Sequence, residues 1–251
     1  KMKTLGGCFW VKDGEKYDYC YKETLKCLQQ LCDKVVVVEI GSTDGTAEAL
    51  DSLADDKTTI IHLPEIMWEM AKTRWKISYF QNIASGLLDT DYYFLCQADE
   101  IISDSSHEII RKAMETGKEG FAVTRYNLWG KTCNTMLNVP QERKPCSTRV
   151  MRLSKPNYFS WEDGENIAIN PCSDEFVNDI KIFHYGFVRK KEIMPYKIEN
   201  MLVNIFGHGE TDKKAPVGQD FNPDLFFGEE DLIPIPEPHP KIMEEWVRER
   251  P

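Results

Sequence analysis

The sequence contains no run approaching the roughly 18 uninterrupted apolar residues that a membrane-spanning helix needs. It also has no Cys-x-x-Cys pair, since its eight cysteines stand at positions 8, 20, 27, 32, 96, 133, 146 and 172. That spacing argues against a zinc ribbon. A chain of this size holds core enough without disulfide staples, so the thiols are expected to be buried and reduced. Basic charge is scarce: 31 Lys and Arg against 41 Asp and Glu leave a net charge of −10. This balance lacks the electrostatic footprint of a tight nucleic-acid binder. The one basic cluster, Arg143 to Arg152, reads as a solvated loop before it reads as a polyanion groove. Internal repeats and low-complexity tracts are absent too. The opening apolar patch, Leu5 to Val11, is too short for a secretory signal and has no small-residue cleavage site, so the expected location is cytoplasmic.

What is present suffices for one sizeable core, with 251 residues of which 41% are hydrophobic. Strand and helix signals alternate over the first two-thirds, the pattern of an α/β layer structure. Thr4 to Val11 reads as a strand, and Tyr21, Leu25, Leu28 and Cys32 recur at helical spacing. Val35 to Val38, followed by Glu39 and Ile40, is the continuous run of a strand buried on both faces. Thr46 to Ala54 reads as a helix, Thr58 to Leu63 as a strand, and Arg74 to Leu88 as a helix with one apolar face. Tyr92 to Gln97 is a fourth buried strand. Ser105 and Ser106 suit the cap of a helix reaching Thr116. Phe121 to Asn127, Arg149 to Leu153 and Ile180 to Phe183 read as later strands, and Leu128 to Pro145 as a loop. Glu192 to Phe206 reads as helical. Residues 207–251, rich in Gly, Pro and acids until a short helix near Lys241 to Arg248, form the expected arm packed on a domain of residues 1–206.

Ligands of open parallel sheets bind beyond the carboxyl ends of the strands, and two polar clusters fall there. The first runs from Glu39 through Gly41, Ser42, Thr43, Asp44 and Gly45 to Thr46. It serves equally as a capped strand-to-helix turn, but Glu39 closes an apolar run where it can accept from a ribose hydroxyl or a base N–H. The second is Gln97-Ala98-Asp99-Glu100, an acidic exit that needs a partner or a cation to offset its desolvation. Asp99 suits Mg²⁺ or Mn²⁺, which take oxygen ligands together with donor phosphates. The third is His184-Tyr185-Gly186-Phe187-Val188-Arg189, with an arginine suited to phosphate. The fourth is Trp161-Glu162-Asp163-Gly164, which suits a general base or an exposed acidic turn.

Taken in order, these stations resemble the family 2 glycosyltransferases. That family carries a D-(G/D)-G-S-x-D-G-T turn after a strand, a D-x-D metal motif or a variant, and later acidic and histidine stations. The chain is similar in particular to a bacterial and phage subgroup with Q-A-D-E followed by a hydrophobic residue, here Gln97 to Ile101, and H-Y-G-(W/F)-V-R, here His184 to Arg189. Met194, Lys197, the late His239-Pro240-Lys241-Ile242-Met243 and the opening Trp10-Val11-Lys12-Asp13, followed by Lys16-Tyr17-Asp18-Tyr19, also fit. Two departures stand out: Glu39 replaces the usual Asp, and Gln97 replaces the first aspartate of D-x-D.

The resemblance implies a GT-A fold, a Rossmann-like nucleotide-diphospho-sugar transferase with a mostly parallel central sheet flanked by helices. It implies inverting transfer from a nucleoside-diphosphate sugar, most often UDP-linked, with Mn²⁺ or Mg²⁺ held by Asp99 and His184. Trp10, Lys12, Asp13, Glu39, Ser42 and Asp44 would surround the nucleoside, with Gln97 nearby. Glu100 would touch the donor sugar and Arg189 a phosphate. Asp163 would be the base, with Glu162 its rival. The acceptor is left open among glycan, lipid-linked glycan, protein and modified nucleic acid. A nucleotidyltransferase, or a non-catalytic nucleotide- or sugar-binding module, would share the same sheet.

Overall fold

The computed structural model describes residues 2–71, 75–129, 132–138, 149–161, 164, 166–169, 174–190, 192–200 and 231–250. Glu162, Asp163, Cys146, Cys172, residues 201–206 of the expected helix and residues 207–230 of the expected arm lie outside them.

The first half is a run of alternating strands and helices. β1 is Leu5–Val11, α1 Tyr21–Leu31, β2 Lys34–Ile40, α2 Thr46–Leu53, β3 Thr58–Leu63, α3 Ile66–Met70, α4 Lys76–Gly86 and β4 Tyr92–Leu95. These strands pair in parallel, with β1 between β2 and β4 and β3 beyond β2. The valine run of β2 is buried on both faces. Val35 and Val37 pack with Leu25, Leu28 and Phe9 on the α1 side. Val36 and Val38 pack with Cys8, Phe80 and Ala84 on the α4 side. The period-2 alternation of a strand thus sends neighbouring valines into two cores.

The second half turns antiparallel. β5 is Glu100–Ile102, α5 His107–Glu115, β6 Gly120–Trp129, β7 Thr135–Leu137, β8 Arg149–Ser154, β9 Phe159–Ser160, β10 Ile167–Ala168 and β11 Asp174–Phe187. β8 lies between β4 and β6 and is antiparallel to both. β11 runs parallel to β6 and antiparallel to β5. β9 and β10 form a separate hairpin over α4. Among the described residues, α6 Met194–Asn200, β12 Leu232–Pro234, a 3₁₀ turn Lys241–Met243 and α7 Glu244–Arg248 follow. The result is a mixed α/β fold with helices on both faces of a central sheet, as the sequence leads one to expect.

Four local expectations are corrected. The Leu128–Pro145 loop is interrupted, because Leu128 and Trp129 extend β6 and β7 pairs with it. The strand expected at Ile180–Phe183 is 14 residues long, since Asp174, Glu175, Phe176 and Val177 pair along β6 ahead of a bulge between Val177 and Lys181, where no apolar run marks a strand. Ser105 and Ser106 make no side-chain cap on α5; they lie in a 3₁₀ turn before it. The acid-rich tail contributes β12, which pairs antiparallel with β7. The six described cysteines are buried free thiols, as expected.

Candidate nucleotide and cation site

The segment after β1 and the turn after β2 interlock at the carboxyl end of the parallel strands. Lys12 Nζ donates to the carbonyls of Ile40 (3.2 Å) and Gly41 (3.1 Å) and to Glu65 (3.3 Å). Ser42 Oγ accepts the Asp13 N–H at 2.8 Å. Asp44 accepts from the Thr46 hydroxyl (2.6 Å) and N–H (3.1 Å) and from the Lys16 N–H (2.7 Å). Burial alone would raise the pKa of Asp44, but the Thr46 and backbone donors outweigh it and hold the carboxyl below its usual range. Gly41, at φ +51°, passes so close to Glu65 that a Cβ would meet its backbone N at 2.6 Å. Asp13 itself adopts a left-handed φ of 52°.

Glu39 is buried and occupied. Its Oε1 accepts the Ser42 N–H at 2.6 Å and its Oε2 lies 3.1 Å from His62 Nδ1. His62 Nε2 lies 2.9 Å from Asp51. These two carboxylates raise the His62 pKa, Glu39 through the larger effect. Glu39 thus braces the turn from beneath.

Above this turn opens a shallow cleft lined by Trp10, Lys12, Asp13, Tyr17, Tyr19, Trp68 and Asn200. Trp10 and Trp68 approach each other at 5.7 Å between ring centroids, and Phe80 supports both. Lys76 lays its ammonium over the Trp68 ring at 4.4 Å. Burial lowers its pKa, and the nearby Glu69 carboxylate offsets that only in part. Sequence reasoning missed Trp68, Lys76 and Asn200, because short α3, the start of α4 and the end of α6 carry no motif. Tyr17 and Tyr19 carried only a family likeness.

The acidic exit from β4 stands beside the histidine of β11. His184 Nε2 lies 3.6 Å from Asp99 Oδ1, and His184 Nδ1 lies 3.0 Å from Asn127 Oδ1. Donation from Nδ1 to Asn127 would leave the Nε2 lone pair toward Asp99, the tautomer a metal ligand needs. Asn127 is set opposite His184 by the parallel register of β6 and β11, which sequence alone does not show. Asp99 Oδ2 takes a 2.5 Å hydrogen bond from Arg189 Nη2. The same guanidinium donates to the carbonyls of Tyr17 (2.7 Å) and Gly186 (3.1 Å) and covers the Tyr19 ring at 4.2 Å. Asp99 and Arg189 therefore connect to the cleft through Tyr17 and Tyr19.

Glu100 points away from this opening. It has no accessible surface, and Arg152 grips both its oxygens, at 2.8 and 3.0 Å. Arg125 donates at 3.3 Å, and the Gln97 N–H at 3.0 Å. Burial would raise its pKa, but the two arginines pull it below the ordinary range. The carboxylate that was expected at the donor sugar is, in this geometry, the anchor of the loop carrying Gln97 and Asp99.

A divalent cation fits the Asp99–His184 pair in a limited sense. The two donors converge, and Gly186 leaves room above them, for a Cβ there would stand 2.5 Å from His184 Nε2 and 3.4 Å from Asp99 Oδ2. Among the described residues no third His, Cys, Asp or Glu joins them. Such a site needs further oxygen ligands from a diphosphate, as Mg²⁺ sites commonly do.

The tail completes the frame. Arg250 binds Asp18 and lies 3.7 Å over Trp246, which packs edge-on to Tyr185 at 5.3 Å. Tyr185 Oη in turn lies 2.8 Å from His239 Nδ1. The tail thus pins the 13–19 segment that supplies Tyr17 and Tyr19.

No family model matches the chain, and no curated protein matches it. Solved structures overlap with it loosely. S. aureus TarS 1-349 has 13% identity and a TM-score of 0.49, over 91% of this chain and 73% of that one. A second S. aureus TarS structure, also at 13% identity, has a TM-score of 0.46 over 79% of this chain and 40% of that one. The 4-diphosphocytidyl-2C-methyl-D-erythritol synthase of Anaerococcus prevotii has 10% identity and a TM-score of 0.39, over 62% and 73%. At such TM-scores the overlaps carry no inference about this chain. No described helix is long and apolar enough to cross a membrane.

Proposed function

We propose that this chain is an inverting glycosyltransferase of the GT-A type that uses a nucleoside-diphosphate sugar, UDP-linked by preference, with Mn²⁺ or Mg²⁺. The observation that carries the reading is the convergence of Asp99 Oδ1 and His184 Nε2 at 3.6 Å, tied through Arg189 to an aromatic cleft. That cleft lies where open parallel sheets take nucleotides.

In this reading Trp10, Trp68 and Tyr17 stack on the base. Lys12, Asp13, Ser42 and Asp44 form the braced rim beneath it, and Glu39 fixes that rim. Lys76 adds positive charge beside the cleft. Asp99 and His184 hold the cation, which when bound neutralises the departing diphosphate. Arg189 orients Asp99. Asp163, with Glu162 as its rival, takes the proton of the acceptor hydroxyl. The acceptor oxygen then bonds to the anomeric carbon from the face opposite the diphosphate, whose C–O bond breaks with the electron pair leaving on the nucleotide.

The test is a thermal-shift titration of the purified chain with UDP, GDP, CDP and TDP, with Mn²⁺ and with EDTA. Ligand at about 100 times its dissociation constant should add about 2.7 kcal/mol, abolished by EDTA. Silence with all four diphosphates removes the donor site. Asp163→Asn should keep the shift and lose transfer by about 10²–10⁴-fold, and unchanged turnover would take Asp163 out of the mechanism.

A further inference from the structure

The outer face of α4 carries large aromatic rings that the donor cleft does not use. Trp75 is 40% exposed, Tyr79 43% and Trp161 61%. Trp75 and Tyr79 are four residues apart, hence neighbours on one helical face. Trp161, arriving from the β9–β10 hairpin, meets Trp75 edge-to-face with centroids 4.9 Å apart and planes at 84°.

The hairpin that presents Trp161 is fixed in place. Asn82 exchanges two hydrogen bonds with the Ser160 backbone, at 2.7 and 2.9 Å, and Ser160 Oγ donates to Gln81 at 2.6 Å. Gly164 lies so close to α4 that a Cβ would meet Ile77 at 2.2 Å. The Trp161 indole is thus held on a firm support while most of it stays open to water.

We infer that Trp161, buttressed edge-to-face by Trp75, presents the platform on which a sugar ring of the acceptor stacks, so that the acceptor is itself a saccharide. The inference rests on the transferase reading above. A pyranose presents a face of polarised C–H bonds, which an electron-rich aromatic face attracts, while its hydroxyls stay in water around the rim. Rigid aromatic rings make such contacts at low entropic cost. The position is right for an acceptor. Trp161 is followed directly in the chain by Glu162 and Asp163, and Trp75 by Lys76, whose ammonium lies on Trp68 of the cleft. Charge argues against an anionic lipid surface as the occupant. The nearby exposed Ile66 and Met70 are interleaved with Glu65 and Glu69, and the chain carries a net charge of −10.

The experiment is saturation-transfer NMR on the full chain with UDP and Mn²⁺, using maltohexaose, cellohexaose and chitohexaose. Phosphatidylglycerol vesicles are tested in parallel by co-sedimentation. At least one saccharide should receive saturation. Trp161→Ala and Trp75→Ala should each weaken its binding about tenfold, the scale of one lost aromatic contact. Trp161→Phe should restore most of it, and the UDP-induced thermal shift of every variant should match that of the parent chain. No saturation of any saccharide, or binding indifferent to both alanine variants, overturns the platform. Vesicle binding that Trp161→Ala abolishes, without saccharide binding, also overturns it in favour of a membrane contact. A saccharide signal without any nucleoside-diphosphate shift would sink the donor reading while leaving the platform standing.

Discussion

Arg189 Nη2 stands 2.5 Å from Asp99 Oδ2, leaving Asp99 Oδ1 toward His184 Nε2. One carboxylate thus stands between a buried guanidinium and an imidazole. Asp99→Asn should abolish the Mn²⁺-dependent part of the UDP thermal shift. It should also lower stability by about 3–5 kcal/mol, because Arg189 is buried and loses its counter-charge. Urea unfolding and the titration read the two effects separately. A normal Mn²⁺ response in this variant refutes the metal assignment.

Gly186 tests the same place without touching a charge. In Gly186→Ala the new methyl would stand 2.5 Å from His184 Nε2. The expected result is loss of the Mn²⁺ effect with a stability change of about 1–3 kcal/mol, the usual range for overpacking. Full retention of Mn²⁺-dependent UDP binding would show that His184 Nε2 is not a ligand.

Glu100 governs acid stability. Its folded pKa is lowered, Arg152 and Arg125 overcoming the burial that would raise it. Its stabilising contribution is therefore complete above the unfolded value of about 4.3 and is lost as pH falls through the lower folded value. Glu100→Gln should cost about 3–5 kcal/mol at pH 7 and flatten the fall in unfolding free energy below pH about 4.3. Identical acid slopes for the two proteins would contradict this account.

His62 behaves in the opposite sense. Its pKa is raised, first by the hydrogen bond with Glu39 and further by Asp51. The support it gives the 39–46 turn is complete below the unfolded value of about 6.5 and fades as pH rises through the folded one. Imidazole proton NMR should find His62 titrating above 6.5, and Glu39→Gln should bring it back toward that value. A titration indifferent to Glu39→Gln would remove the coupling.

Much of this was legible in the chain. β-branched runs and helical spacing located the strands and helices of the first half, because burial on one or two faces leaves a local periodic trace. The positions of Asp99, His184 and the Glu39–Thr46 turn followed from polar residues at the ends of apolar runs. β7, β12 and the first half of β11 left no such trace, since short or edge strands are stabilised by the neighbours they pair with.

The sequence by itself determined an acidic α/β chain and the residue types at the ends of its strands. Which of those residues face one another was decided only by the tertiary structure. Arg189 reaches Asp99 across 90 positions, Arg152 reaches Glu100 across 52, and strand register sets Asn127 beside His184. The tertiary structure likewise turned Glu39 and Glu100 inward as braces and assembled a cleft from Trp10, Tyr17 and Trp68. The physical reason is range: periodicity reports how deeply a residue is buried, whereas the partner of a buried charge is fixed by long-range pairing that local pattern does not encode.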